Sequence, residues 1–278
     1  MTEEATAPWL SLVIPAYNEA ARLPTTLDAL AAYFAGQPYG VEVLVVDDGS
    51  ADATAAVARA RAATWPAVRL LTLPHRGKGS AVRAGVLAAR GEYILLCDAD
   101  LSMPIAELGK FLPERMRDRA IAIASREGPG ARRFDEPFSR HLMGRVFNLA
   151  VRLLVLPGIQ DSQCGFKCLR GEAGRALAAA QTLDGWGFDV EWLALARHWG
   201  WRIAEVPILW YCSPSSRVRP LRDSWAMLGD VLTVRRALRR GRYPAAPVAP
   251  AGASEALAGT DPHPWSLSKT LRRGEGSA

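Results

Sequence analysis

Four times in the first hundred residues a short apolar run ends in a cluster of polar side chains. Leu10–Ile14 stops at Pro15 and is followed by Tyr17-Asn18-Glu19. The run from Val41 to Val46 ends in Asp47-Asp48-Gly49-Ser50, and residues 67–73 lead into His75-Arg76-Gly77-Lys78. Tyr93–Cys97 is apolar throughout and ends at Asp98-Ala99-Asp100. Runs of this length that offer water almost no polar face predict strands buried on both sides. Helical spacing fills the gaps. Leu23, Leu27, Leu30, Ala31 and Phe34 share one face over 18–35, Asp52 caps an alanine-rich helix over about 53–63, and a further helix opens at Gly77 and runs to about Arg90. Strand and helix alternating with short loops predict an α/β fold with a doubly wound, mostly parallel sheet. Ligands bind such sheets at the carboxyl ends of the strands, where all four polar clusters fall.

Past Pro104 the pattern loosens. It predicts a helix over 105–117, a fifth strand at Ala120–Ala124, a mobile Gly-, Pro- and Arg-rich loop over 126–139, and an apolar helix over 140–156. A short helix near 172–181, a helix over 188–199, a strand over 202–208 and an Arg-rich helix over 220–240 complete the order. The expected organisation is one domain over 8–212, a basic helical region over 213–243, and a Pro-, Ala-, Gly- and Ser-rich tail over 244–278 that reads as disordered.

Composition adds little to this picture, but charge adds a good deal. At 49% hydrophobic and 22% charged, the 278 residues are ordinary for a globular chain. The four cysteines have neither a disulfide framework's spacing nor a zinc site's, which suits a reducing cytosol. The first residues lack the basic segment of a signal peptide, and no apolar run reaches the roughly 18 residues that cross a bilayer. Residues 1–110 hold 9 basic and 12 acidic side chains, whereas 111–244 hold 22 basic and 13 acidic. The later part of the chain is therefore suited to an anionic partner. In its Arg-rich helix, Met227, Val231, Val234 and Leu238 form an apolar stripe. That stripe either lies on an anionic membrane surface or packs on the domain; the helix over 140–156 is a second place for lipid contact. A nucleic-acid-binding module is the remote alternative, and the run lacks the interleaved aromatics that stack on bases.

Two carboxylates on one tripeptide, Asp98 and Asp100, offer the hard oxygen ligands that Mg²⁺ or Mn²⁺ takes when it bridges protein to substrate phosphate. Alone, so short a string equally fits a solvated loop; its place at a strand end beside three other polar clusters favours metal or pyrophosphate binding. Lys78, in a Gly-rich turn at a helix start, suits an anion or simply solvent.

Ile14–Glu19, Val45–Ser50, Gly77-Lys78-Gly79 and Asp98-Ala99-Asp100, in that order, resemble the family 2 inverting glycosyltransferases of GT-A fold. The resemblance spans about residues 10–240. Asp161-Ser162-Gln163-Cys164-Gly165-Phe166-Lys167 and Gly187–Glu191 resemble its polyprenyl-phosphate branch, which includes dolichyl-phosphate glucosyl and mannosyl members. The resemblance implies an enzyme that moves a hexose from a sugar nucleotide to a polyprenyl phosphate at the inner membrane face. Glucose from UDP-glucose is favoured over mannose from GDP-mannose, and a soluble transferase with a glycan or small-molecule acceptor is the alternative.

The same resemblance implies a nucleoside pocket of Pro15, Tyr17, Glu19, Asp47 and Asp48, with Asp48 reading the base. Lys78, Asp98, Ala99 and Asp100 would bind the rest of the donor, with Asp100 and Asp98 at the metal. Arg126, Arg140 and Lys167 would hold the acceptor phosphate, with Arg132 and Arg133 in the loop between. Asp161, with Asp100, belongs to the catalytic centre, either orienting it or acting as a base. Asp189 and Glu191 are weaker candidates, equally readable as acids at a helix start. The chain departs from mannosyl relatives at Ser102, where they more often carry Gln, and it lacks the anchor helix of some glucosyl relatives.

Overall fold

The computed structural model describes residues 7–112, 116–212 and 220–247. Its first half alternates β1 (Leu10–Ala16), α1 (Leu23–Phe34), β2 (Val41–Asp47), α2 (Thr54–Thr64), β3 (Val68–Thr72), α3 (Lys78–Ala88) and β4 (Tyr93–Leu96). After a 3-10 turn at Ile105–Lys110 come β5 (Ile121–Ser125), β6 (Arg132–Phe134), α4 (Phe138–Leu154), β7 (Lys167–Arg170), α5 (Gly171–Ala180), α6 (Phe188–His198), β8 (Ile203–Pro207), β9 (Leu209–Tyr211) and α7 (Pro220–Arg239). Seven strands form one sheet in the order β3-β2-β1-β4-β7-β5-β8, and β6 pairs with β9 in a second, two-stranded sheet.

Because side chains alternate across a strand, β1 feeds two cores at once. Val13 packs with Val82 of α3, Leu177 of α5, Trp192 of α6 and Val234 of α7 on one face. Leu12 and Ile14 pack with Leu27 and Leu30 of α1, Ala58 of α2 and Phe111 on the other. The result is three layers, with the parallel strands β3, β2, β1 and β4 in register. The sequence expectation of a doubly wound, mostly parallel α/β sheet is met.

The sheet departs from it in one strand. β7 runs antiparallel to both β4 and β5, with Cys168 opposite Leu95 on one side and Ala122 on the other. This insertion brings the Asp161–Phe166 segment, which precedes β7, back to the carboxyl end of β4.

Two further expectations are corrected, and for the stripe of α7 one of the two readings left open is met. Of the helix expected over 105–117, the described residues show a 3-10 turn at Ile105–Lys110, and 113–115 lie outside them; the Glu107 carboxylate is spent on Lys110 and on the Leu209 amide, at 2.6 and 3.0 Å. The loop over 126–139 is not free. Its Arg133 donates to Glu127 and Glu136 at 2.6 and 2.7 Å, and β6 within it pairs with β9. The apolar stripe of α7 does not face outward: Val231 and Val234 are fully buried in the core, with Leu238 partly buried against it. Tyr243 also packs inward, its hydroxyl donating to Glu191, and the carbonyl of exposed Pro244 accepts from the Trp199 indole. The rest of the tail, 248–278, and the start of the basic region, 213–219, lie outside the described residues.

Candidate active site

The carboxyl ends of β1, β2 and β4, the start of α3, and the segments flanking β5 and β7 converge on one cleft. Its first wall is built by the strand-end turns of β1 and β2. Asn18 sits at φ 53° and accepts from the Ala51 amide at 2.8 Å, while Asp47 accepts from the Ser50 amide at 3.0 Å. These bonds lock the turns after β1 and β2 to each other. Pro15, opposite Val46 in the sheet, ends the strand that delivers Tyr17. The Tyr17 ring is part-exposed and stacks on His75 at 4.1 Å between centroids. Asp48 is buried beneath this pair. It accepts from the amides of Arg76 and Gly77 at 3.0 and 2.9 Å and lies 2.8 Å from His75 Nδ1. Glu19 receives a two-pronged bond from Arg22, whose Nη1 is 3.8 Å from Asp100.

The floor of the cleft is the end of β4. Lys78, the first residue of α3, donates to Asp98 Oδ1 at 2.6 Å and lies 5.1 Å from the centre of the Trp186 ring. The turn that presents Lys78 must be glycine on both sides. Gly77 has φ 125°, and a Cβ there would meet the Asp184 carbonyl at 2.6 Å; one on Gly79 would meet the Leu183 and Gly185 carbonyls at 2.7 Å. Burial works against the charged form of Asp98, but Lys78, Lys167 and Arg126 together hold its pKa below the usual carboxylate range. Ala99 is buried, its carbonyl accepting from Thr26 at 2.6 Å, which fixes the loop between the two acids. Asp100 accepts from the Ser102 amide at 3.1 Å.

The far wall carries the basic residues. Arg126, just past β5, makes a two-pronged ion pair with Asp161: Nε to Oδ2 at 2.7 Å and Nη2 to Oδ1 at 2.9 Å, with the Arg126 amide on Oδ2 at 3.0 Å. Burial opposes the Asp161 charge, yet this fork brings its pKa down to about 2. The Arg126 guanidinium also lies 5.3 Å from the centre of the Trp210 ring, and Arg140, in the first turn of α4, lies 5.9 Å from the same ring. A small pocket opens between this wall and the β4 end, lined by Asp98, Ser102, Cys164, Gly165, Phe166 and Trp210 among others. Gly165 is required here, because a Cβ would collide with the Asp98 carboxylate.

Most residues named from the sequence thus share one cleft, but five take other positions. Lys167 is 1% exposed, its ammonium 2.7 Å from Asp189 and bonded to the Cys164 carbonyl. It is no open ligand for an acceptor phosphate; it holds the Cys164–Phe166 turn from behind. Burial pushes the Asp189 carboxyl up against the pull of Lys167 and Lys78. Glu191 is fully buried and accepts from the Thr182 amide and hydroxyl, the Leu183 amide and Tyr243. It secures the 182–185 corner against which the Lys78 turn is seated. In the loop, Arg132 is exposed and Arg133 is consumed by its two glutamates. Sequence reasoning missed Trp210 and Trp186, each of which carries a cation on its face. Their only signal was an aromatic next to a predicted strand or helix end, a position that fits packing equally well.

Asp98 and Asp100 fit a divalent cation in their donor chemistry: hard oxygens from one strand end, with the rest of the shell left to substrate oxygens and water. Among the described residues no group of three or more His, Cys, Asp or Glu side chains could hold a metal ion unaided. Of the pair, Asp98 is already neutralised by Lys78, which leaves Asp100 as the freer carboxylate for such a role.

Comparison with known proteins bears on the family and the fold. The chain is 38% identical over 237 residues to the Drosophila melanogaster dolichyl-phosphate beta-glucosyltransferase, covering 79% of this chain and 72% of the relative. It is 35% identical over 243 residues to the Homo sapiens dolichyl-phosphate beta-glucosyltransferase, covering 81% and 74%. The fold is similar to that of a solved glucosyl-3-phosphoglycerate synthase from Mycobacterium tuberculosis in complex with Mn²⁺ and UDP-glucose. That match has a TM-score of 0.58 at 21% identity and covers 83% of this chain and 79% of the other. The family model described as glycosyl transferase family 2 matches residues 11–173, so the chain is a glycosyltransferase and belongs to that family.

Proposed function

We propose that this glycosyltransferase moves glucose from UDP-glucose to a polyprenyl phosphate, with inversion and with help from Mg²⁺ or Mn²⁺. The observation that carries the reading is the gathering of Arg126 and Arg140 at one Trp210 ring, 5.3 and 5.9 Å from its centre, next to the pocket lined by Asp98. The curated relatives named dolichyl-phosphate beta-glucosyltransferases support the acceptor and the sugar. The Mn²⁺ and UDP-glucose of the solved neighbour support the donor and the metal.

The residues divide the work as follows. Tyr17, stacked on His75, offers the nucleobase a face, and Asp48 below offers it an acceptor. Lys78 and Arg22 place positive charge around the pyrophosphate. Asp100, with Asp98 beside it, would hold the cation, which when bound neutralises charge on the departing nucleoside diphosphate. A phosphate monoester has a second pKa of about 6 and is already an anionic nucleophile near neutral pH. It needs to be held more than to be deprotonated, and a guanidinium suits its oxygens. Asp161 is therefore assigned to positioning Arg126. A carboxylate with pKa about 2, both oxygens engaged by one arginine, is a poor proton acceptor. This supports the orienting role over the base role left open by the sequence.

A ligand that binds only the folded state raises thermal stability. With Mn²⁺ present, UDP-glucose is expected to raise the melting temperature while GDP-mannose leaves it in place. Stabilisation by GDP-mannose alone would move the reading to mannose, and stabilisation by neither would remove the sugar-nucleotide assignment.

A further inference from the structure

The geometry points to α4 as a membrane-docking helix that lies flat on an anionic bilayer and sets the chain's orientation there. Phe138, Leu142, Val146, Leu149 and Leu153 are 77, 51, 62, 53 and 75% exposed. At 3.6 residues per turn these five fall within an arc of about 80° on one face, a stripe roughly 22 Å long. Single exposed apolar residues need no explanation, but five in register on one helix do. The opposite face is satisfied: Val151 is buried in the core, with Phe147 and Leu154 packed against it. The helix is thus anchored to the domain along one side and, among the described residues, unpartnered along the other.

Charge selects the occupant. α4 contains Arg140, Arg145 and Arg152 and no acidic residue. Arg145 and Arg152, both exposed, fall on the same edge of the stripe; Arg145 is paired with Glu127 at 2.9 Å, which leaves Arg152 as the main positive charge there. Apolar side chains bordered by arginines fit the boundary between acyl chains and anionic headgroups. A second copy of this chain fits poorly, since a twofold contact through the stripe would set arginine against arginine. Spanning is excluded on length: among the described residues no helix is long and apolar enough to cross a membrane.

Position ties the stripe to the cleft. Arg140 lies one turn into the same helix, with its guanidinium at the Trp210 ring. A phosphate held there would stay just above the membrane plane while an apolar chain attached to it remained in the bilayer. That last step rests on the polyprenyl-phosphate reading; the docking itself does not.

The test uses the full chain and vesicles that contain no polyprenyl phosphate. The protein is expected to sediment with phosphatidylglycerol–phosphatidylcholine vesicles and less with pure phosphatidylcholine. The triple variant L142Q/V146Q/L149Q is expected to lower the partition coefficient about a hundredfold, and R152Q about fivefold with a weaker salt dependence. All three apolar positions are exposed, so the folded state should persist, with an unchanged melting temperature as the check. Wild-type partition matched by the triple variant would overturn the proposal. So would a wild type that ignores vesicles but forms a dimer that the triple variant abolishes, since a second copy would then be the occupant. Failure of glucose transfer with docking intact would remove the acceptor reading and leave the docking helix standing.

Discussion

Replacing Asp161 by alanine is expected to cost about 3–5 kcal/mol of stability, the cost of leaving a buried charge unpaired. Arg126 would lose two side-chain bonds and a bond to its own amide at one stroke, keeping only the Trp210 face. Asp161 is also held from its other side, where the amides of Gln160 and Asp161 donate to Glu205 at 2.9 and 3.2 Å, so the segment cannot easily shift to compensate. The double variant R126L/D161A should recover most of the loss, because it removes both charges. It should not recover activity, because the arginine is gone. Urea denaturation of the three variants separates these outcomes; a single variant within about 0.5 kcal/mol of wild type would mean that the pair is not structural.

The same pair sets a pH dependence. The folded pKa of Asp161 lies near 2, below an unfolded value of about 3.9. The pair's contribution is therefore complete above about pH 4 and is lost as the pH falls towards 2. In the wild type this loss should appear as a steeper acid limb than in R126L/D161A.

Asp100→Asn should behave in the opposite way, sparing the fold and removing turnover. The hydrogen bond it accepts from the Ser102 amide can be kept by the Asn carbonyl oxygen, and its contact with Arg22 is long at 3.8 Å. Stability should change by less than about 1 kcal/mol. What is lost is the charge that would hold the cation opposite the leaving pyrophosphate. Losing one such electrostatic contact costs on the order of a thousandfold in kcat. Turnover at saturating Mn²⁺, measured beside the melting temperature, checks both halves. Activity within a few fold of wild type would remove Asp100 from the metal assignment.

The parallel half of the fold was legible because burial on both faces leaves a plain mark. β1, β2, β3 and β4 read as apolar runs, and their ends read as polar clusters. β7 left no such mark: it is four residues long and two of them are Lys167 and Arg170, so no periodicity betrays it. With β7 unseen, no periodicity returned Asp161 to the cleft; only the family resemblance put it there. The Arg126–Asp161 pair joins residues 35 apart in sequence, across a turn that only the antiparallel strand creates. Lys167 was misjudged for the same reason. Beside acids in a motif it resembles a ligand, and only packing shows it sealed against Asp189. Between the two amphipathic helices, sequence alone could not say which stripe the core would take. α7 gives up Val231 and Val234 to the core, and the outward stripe is on α4.

In the proposed function the cleft is divided: the strand-end carboxylates hold what leaves, and the arginines at Trp210 hold what attacks. The most direct measurement is transfer of labelled glucose from UDP-glucose to a polyprenyl phosphate in the presence of Mn²⁺, by wild type and by Arg140→Gln. Wild-type protein should form a glucosyl phospholipid of inverted anomeric configuration. Arg140→Gln should raise the KM for the lipid about tenfold or more while the KM for UDP-glucose stays unchanged. No lipid-linked glucose from the wild type, or a rise in the UDP-glucose KM alone in the variant, would contradict the account.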